Sequence, residues 1–561
     1  MHYPIAILVS SVLIASSVIA CGTAPSSPSS TSTNAGTGVT VPIGSFVGHH
    51  TVDADSGGVI EKVGNTYNTS IVSNDPNVFK AEYEAGFIEG NLQKSQILAS
   101  RDNSWDSAYL TDPSHAFPTQ IPPSANEIAM AQRTLSENWD YTLEYISTTS
   151  DATVAKNLRR LMYRLVGIYH GATLDAPAAL SFDGTWLPAF TPSEMGLGYE
   201  TPTLTFGDIY FINAFQDALY LLPANAPPAP SAMINDRPSK CTAFVKVTPD
   251  DIILTHNSWN SFLDQSQTIS LWVNGDLMTF NAGGPGYLGS NVDFGYTNKG
   301  LIFNETTHRY SYTEPKVDAL WMFWRATAAE QFAASIDEFF KYVSLDASGT
   351  YMNGYMVVDT KTHEIGLVEM SYKSFVFFRS DGTNPVKVTT KPEGLSTAYD
   401  PDLVQPDHLL GINFPASLLI RSELQSTDNR PARRVQLMAG IGGVTDIASA
   451  KALITYTDPT NPLSIYGRWD LGYGITSYPK TIPDGSDDAK AIAASMISYT
   501  FGITGVLDTA STNKAFWMKY GTAQVNGKPF IWSESPWPTQ KLRNVPDRVE
   551  GYWIFENLHI R

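Results

Sequence analysis

The order of hydrophobic periodicities in this chain predicts an α+β fold, with antiparallel sheets and helices stacked in layers. Apolar residues recur at i, i+3, i+4 spacing in four segments between residues 81 and 222. After residue 241 the period changes to two, with short Asp- or Gly-containing turns between the runs. Strands and helices come in blocks, so alternating βαβ units and a parallel sheet are disfavoured.

The helical segments are Ala81–Ser100, Ala125–Thr148, Thr153–His170 and Gly207–Leu222. A Pro/Ala-rich break, residues 223–230, then leads through the polar run 235–240 to Cys241. Strands are expected at Ala243–Thr248, Asp251–His256, Thr268–Val273, Tyr355–Asp359, Ile365–Met370 and Ser374–Arg379. One long helix, Ala326–Val343, interrupts them, and three shorter helices are expected at Pro415–Leu424, Pro431–Gly440 and Asp446–Leu453. No internal repeat is evident.

Composition narrows the function classes. The chain has 561 residues, 43% hydrophobic and 12% aromatic, enough for one large core or two average ones. Charged residues are 16% and the formal net charge is −18, which would repel phosphate backbones and argues against nucleic-acid binding. Residues 5–20 are apolar or small, the length of a signal-peptide core. Ala20 and Gly22 flank Cys21 as in a bacterial lipobox, so residues 1–21 read as an export signal ending in a lipidated cysteine. An ordinary cleaved signal and an uncleaved anchor are the alternatives, because Lys62 is the first Lys or Arg in the chain. Residues 22–42 are a Ser/Thr/Gly/Pro tether, and ordered structure is expected from residue 43.

Most motif matches dissolve on inspection. Residues 284–289 fit G-x-G-x-x-G, yet Pro285 sits inside the glycine pair and no strand-to-helix transition surrounds it, so a turn is expected. His363-Glu364 lacks a second histidine, and the ten histidines show no metal-ligand spacing. Asp53, Asp55 and Gly57 resemble half a calcium loop, with Gly64 where a bidentate Glu belongs. There is no G-x-S-x-G elbow. No cofactor and no metal is expected.

Cysteine usage is the sharper signal. With two cysteines, Cys21 and Cys241, no framework of several disulfides is possible. A lone internal cysteine is by default a small core hydrophobe. Cys241, however, opens a strand after a polar linker, and a second strand returns to His256, beside Asn257 and Trp259. Paired antiparallel strands could bring that imidazole near the thiol, to tune it or to orient a substrate.

Cys241-Thr-Ala-Phe-Val-Lys-Val followed by Thr255-His256-Asn257-Ser258-Trp259-Asn260 resembles the signature of the phospholipase B-like family, which are N-terminal nucleophile (Ntn) hydrolases. The resemblance continues in order through Pro285-Gly286, residues 290–294, Gly300-Leu301, Glu305-Thr306-Thr307, Trp324-Arg325, residues 348–353, Asn413-Phe414-Pro415 and the arginines of 430–434. Upstream, residues 83–90 are similar to the family's first helix, so the likeness spans residues 80–540.

The resemblance implies a four-layer αββα sandwich whose precursor cuts itself before the cysteine. Here the Lys240–Cys241 bond would break, giving an N-terminal fragment 43–240 and a catalytic fragment 241–561 that remain associated. Cys241 would be nucleophile and, through its freed α-amine, base. His256 and Trp259 would shape the pocket, and Asn413 would bind the α-amine or the oxyanion. Arg433 would position these groups, since the family's Pro-Arg-Ala is Pro431-Ala432-Arg433 here. Asn298, in Asn298-Lys299-Gly300-Leu301, is more similar to an oxyanion-hole Asn of related cysteine Ntn amidases. Plain structural readings stand beside these: Trp259 as core, Asn413 as a turn residue, Asn298 as a hairpin residue. The expected activity is hydrolysis of phospholipid acyl esters by an exported enzyme, lipid-anchored in a bacterial envelope or secreted. The alternatives are an amidase acting on N-acyl or peptide-like amides and a non-catalytic lipid-anchored envelope protein.

Overall fold

The computed structural model describes residues 45–63, 66–110, 123–218, 220–221, 241–261, 268–274, 276–428, 430–461, 463–468, 470, 484–501, 516–524, 529–535, 547–549 and 553–556, with short strands at 31–33 and 40–42. Those two, β1 (Thr31–Thr33) and β2 (Thr40–Pro42), pair antiparallel inside the stretch expected to be an irregular tether. Their Thr and Val residues supply the β-branched side chains that strands favour. Residues 1–43 form one unit and 44–561 a second, compact one.

The second unit opens with three strands in a stretch for which the sequence pattern indicated order but no particular element. β3 (Ser45–Thr51), β4 (Ser56–Val63) and β5 (Thr66–Ser73) form an antiparallel meander. Polar residues blur its period of two, because β5 is buried along most of its length yet carries Ser and Thr. The next helix satisfies those groups: the Ser56 and Ser73 hydroxyls donate to Glu84 Oε2 at 2.6 and 2.9 Å, and Gln93 Nε2 donates to Thr69 Oγ1 at 2.6 Å.

Four helices follow: α1 (Val78–Leu110), α2 (Ala125–Thr148), α3 (Ala152–Thr173) and α4 (Phe206–Ala218). α2 fills the interval that periodicity assigned to it and starts at a capping box between Ser124 and Glu127. α1 and α3 cross on four glycines. A Cβ at Gly86 or Gly90 would overlap the α3 carbonyls of Arg164 and Ile168, and one at Gly167 or Gly171 would overlap those of Tyr83 and Phe87. That close approach encloses Glu82, which accepts from Arg160 Nε at 2.8 Å, Arg164 Nε at 2.7 Å and Asn274 Nδ2 at 2.7 Å.

Beyond residue 241 come the hairpin β6 (Thr242–Val247) and β7 (Ile252–Asn257), then β8 (Trp259–Ser261), β9 (Thr268–Asn274), β10 (Leu277–Gly283), β11 (Phe294–Thr297) and β12 (Leu301–Thr307). The single helix expected over 326–343 is two, α5 (Met322–Phe332) and α6 (Ile336–Val343). Ser335 makes the break: its Oγ accepts from Glu338 N at 3.2 Å, restarting the helix on a new axis. Next are β13 (Asn353–Asp359), β14 (Glu364–Met370), β15 (Phe375–Ser380), β16 (Lys387–Lys391), β17 (Val404–Gln405) and β18 (His408–Gly411). The helices α7 (Leu418–Leu424), α8 (Pro431–Ile441) and α9 (Ile447–Ile454) precede β19 (Asp484–Ser486), β20 (Asp488–Ala493), α10 (Ala494–Phe501), β21 (Phe516–Tyr520), β22 (Phe530–Ile531), β23 (Arg548–Val549) and β24 (Trp553–Glu556).

Two large sheets result. One runs β16-β15-β14-β13-β12-β11-β10-β9-β5-β4-β3, the other β17-β18-β6-β7-β20-β21-β24. They face each other where β12 and β13 lie over β6, β7 and β18. Helices α1, α5 and α6 pack against the larger sheet, and α9 and α10 against the smaller. The architecture is α+β with the layer order αββα. Within the larger sheet, among the described residues, β5 and β9 form the one parallel pair, in register from Tyr67–Thr268 to Ser73–Asn274.

Candidate active site

Cys241 immediately precedes β6, a central strand of the smaller sheet, and is 1% exposed. Its backbone is held from several sides. Arg433 Nη1, from the first turn of α8, donates to the Cys241 carbonyl at 2.6 Å, to Thr242 Oγ1 at 3.2 Å and to Asn413 Oδ1 at 2.9 Å. Arg433 Nη2 donates to the Ile412 carbonyl. Thr242 N donates to Asn257 Oδ1 at 3.2 Å. The guanidinium is wholly buried, and burial brings its pKa down to about 10, so it stays charged at neutral pH.

Asn413 lies between β18 and α7 at φ 61°, the left-handed conformation that Asn tolerates better than most residues. Its Nδ2 donates to the Thr307 carbonyl at 2.7 Å, and its own carbonyl accepts from Arg309 N at 2.8 Å. Both ends of its side-chain amide are therefore engaged with the protein, which makes it the mount for Arg433.

The β6–β7 hairpin does bring His256 back to Cys241. His256 pairs with Ala243, and alternation along β7 sends its ring to the opposite face from Asn257, whose Nδ2 donates to the carbonyls of Ile454 and Ile465 at 3.0 Å each. The Cys241 thiol also lies 3.8 Å from Asp293 Oδ2. Ligand atoms of Cys241, His256 and Asp293 all fall within 4.8 Å of one another. Spacing along the sequence could not show this group, since its members come from three separate segments.

Burial pushes the Cys241 thiol well above its ordinary pKa, and the carboxylates of Asp293 and Glu305 add to the effect. Burial also holds His256 well below its usual value, with the Lys490 ammonium lowering it further. At neutral pH the pair is a thiol and a neutral imidazole, not a thiolate–imidazolium pair.

Lys490 was not singled out from sequence. It sits on β20 directly opposite His256, is wholly buried, and its Nζ reaches Asp488 Oδ1 at 2.6 Å, Ser258 Oγ at 2.9 Å and the Val292 carbonyl at 2.7 Å. It thus ties the end of β7 to the turn that presents Asp293, itself at φ 60°. Asp293 lies in the run 290–294 that resembles the family, but the resemblance gives it no role. Sheet register assembles these groups, and periodicity carries no register between distant strands.

Other expected site residues fall as follows. Trp259 on β8 is 1% exposed, its ring covered by the Arg430 guanidinium at 3.7 Å. Asn298 does not join the cluster. It sits in the β11–β12 turn, with Nδ2 donating to the Asp276 carbonyl and Oδ1 accepting from Met278 N, each at 3.2 Å. Its side-chain amide thus closes the β11–β12 hairpin, with the whole of β11 between it and Asp293. The run 284–289 is a turn fixed on α4 by Asn213, which donates to Gly286 O and accepts from Leu288 N, both at 2.8 Å. Asp53 and Asp55 lie in the β3–β4 turn, with Asp55 N donating to Asp53 Oδ1 at 2.8 Å. Lys240 and Cys21 lie outside the described residues.

Residues 69–378 match the model of the phospholipase B family. The chain belongs to that family. Among curated proteins, phospholipase B-like 1 of Rattus norvegicus is 26% identical over 362 residues, covering 60% of this chain and 62% of that protein. Phospholipase-B 81 of Drysdalia coronoides is 24% identical over 495 residues, covering 80% and 78%. The chain thus spans under two thirds of the rat relative's length. A mutant conjugated bile acid hydrolase from Clostridium perfringens aligns with 57% of this chain and 99% of that one at 12% identity, and its TM-score of 0.29 is too low to bear on the fold. No described helix is long and apolar enough to cross a membrane.

Proposed function

We propose that this phospholipase B family member is an exported acyl hydrolase of the Ntn type, activated by cleavage of its Lys240–Cys241 bond. The observation that carries the reading is the way Cys241 is held. Its carbonyl is gripped by buried Arg433 and its thiol stands beside Asp293, so the residue stays anchored whether or not residue 240 remains attached. Burial also raises the thiol pKa and makes the His256 imidazole a weak base, so a stronger base is called for. A freed α-amine, with a pKa near 8, supplies one on the same residue.

In processing, Cys241 Sγ attacks the Lys240 carbonyl carbon and the C–N bond breaks. The thiol proton passes to the nascent amine, and water hydrolyses the thioester to free the Lys240 carboxylate. In turnover, the amine takes the thiol proton as sulfur attacks the substrate acyl carbon, then gives it to the leaving alcohol. Water releases the acid from the thioester. Asn413 and Arg433 act as positioning residues, His256 faces the thiol and Trp259 walls the site. The family's name favours acyl esters of phospholipids as substrates; acyl amides are the second reading, supported by the same nucleophile chemistry. Export rests on residues 5–20, and a lipid anchor to the membrane on Cys21.

Intact-mass analysis of purified protein tests the reading. A fragment beginning at Cys241 is expected, absent from Cys241→Ala. A wild-type chain that stays uncut after acid incubation and releases no fatty acid from phospholipid would overturn it.

A further inference from the structure

We propose that Cys241, His256 and Asp293 form a site for a thiophilic divalent cation, Zn2+ in particular, which silences the nucleophile. Three observations carry this. The set comprises a thiol, an imidazole and a carboxylate, the ligand types Zn2+ takes, within 4.8 Å of one another. Zn2+ bonds of about 2.0–2.3 Å in tetrahedral array put ligand atoms about 3.3–3.7 Å apart, so side-chain shifts of about 1 Å close the set. The thiol and carboxylate already stand at 3.8 Å.

The second observation is the imidazole. His256 is wholly buried, and neither ring nitrogen meets hydrogen-bond geometry with a protein partner, although the Glu305 backbone lies close enough to influence it. Buried polar atoms are nearly always satisfied; the Glu305 backbone can engage at most one ring nitrogen, which leaves the other, close to a thiol and a carboxylate, for a cation.

Charge is the third. A thiolate and a carboxylate neutralise a dication, and the thiol proton leaves to solvent as the sulfur–metal bond forms. Of the cations close by, Lys490 is paired with Asp488, and Arg433 points at the carbonyl side of Cys241. Glu305 adds further negative potential at the sulfur. The fourth ligand rests on the proposed processing: the freed α-amine and thiolate of Cys241 would close a five-membered chelate ring.

The test uses the full chain with Cys21→Ser, which leaves Cys241 as its one thiol. Equilibrium dialysis against Zn2+ should find one tightly held ion per chain. Alkylation of Cys241 by iodoacetamide should slow about tenfold or more with Zn2+ and recover with a chelator. Co2+ should give a thiolate charge-transfer band that Cys241→Ser abolishes, and His256→Gln or Asp293→Asn should weaken binding about tenfold or more. Circular dichroism identifies variants that fail to fold, and the alkylation and Co2+ measurements on the parent chain need no further variant. A Cys241 that alkylates equally fast with saturating Zn2+, or a Co2+ spectrum without a thiolate band, would overturn the site. Mass analysis of the same sample separates the two proposals: an uncut chain that binds Zn2+ refutes processing alone, and a cut chain without protection refutes the metal site alone.

Discussion

Replacing Arg433 with Met tests how Cys241 is mounted. The guanidinium is wholly buried and donates to the carbonyls of Cys241 and Ile412, to Thr242 Oγ1 and to Asn413 Oδ1. Met fills a similar volume but leaves those acceptors without a donor. Each buried group so stranded costs about 1–3 kcal/mol, offset by removing a desolvated charge, for a net of about 3–5 kcal/mol. With unfolding entropy of about 2.1 cal/mol/K per residue over roughly 500 residues, melting should fall by about 3–5 °C. Arg433→Lys keeps the charge but not the fork, and should fall between the two. Differential scanning fluorimetry measures the shift, and intact mass follows the Cys241 fragment in the same samples. An Arg433→Met protein that melts with the wild type and yields the fragment at the same rate would refute the clamp.

Three further outcomes are expected. Lys490→Met should cost about 3–5 kcal/mol in denaturant titrations, because Asp488 would stay buried and charged with the Ser258 N–H but without its ammonium, and the double change with Asp488→Asn should recover much of that. Gly90→Ala or Gly171→Ala should destabilise by about 3 kcal/mol or more, since the added methyl meets backbone of the facing helix, and a neutral outcome would deny the close α1–α3 crossing. Glu330 is buried, and burial raises its pKa to about 8, well above the unfolded value, so the folded state holds its proton more tightly. Stability should therefore fall as pH rises from about 4.5 to about 8 and level off above; Glu330→Gln should flatten that decline, as unfolding at stepped pH will show.

Sequence and structure agree best where local rules decide. α2 is legible because its capping box and its apolar stripe coincide, and the β6–β7 hairpin because two short runs rich in β-branched and apolar residues bracket a Pro-Asp turn. β4 and β5 are hidden because polar residues such as Ser56, Thr69 and Ser73 are buried against α1, whose carboxylate and amide groups stand in for water. The split between α5 and α6 was readable from Ser335 and Glu338, but continuous apolar spacing across the break outweighed it. At the site, family resemblance pointed to Cys241, His256, Asn413 and Arg433, which the fold brings together. Asn298, singled out by its likeness to cysteine Ntn amidases, lies apart from them in the β11–β12 turn, and the positions of Asp293 and Lys490 beside the thiol appear only once strand register joins remote segments.

The parallel pairing of β5 with β9 bears on what a break before Cys241 would mean. Seven residue pairs stitch a strand from one side of that bond to a strand from the other, and the glycine-lined helix crossing lies wholly on the upstream side. A cut there would be a nick in a seam already sewn: one particle on a sizing column, two bands in detergent. Pulling the pieces apart would mean splitting a sheet through its interior. The upstream piece would then expose a bare β5 edge and the downstream piece a bare β9 edge, each ready to pair with the wrong chain.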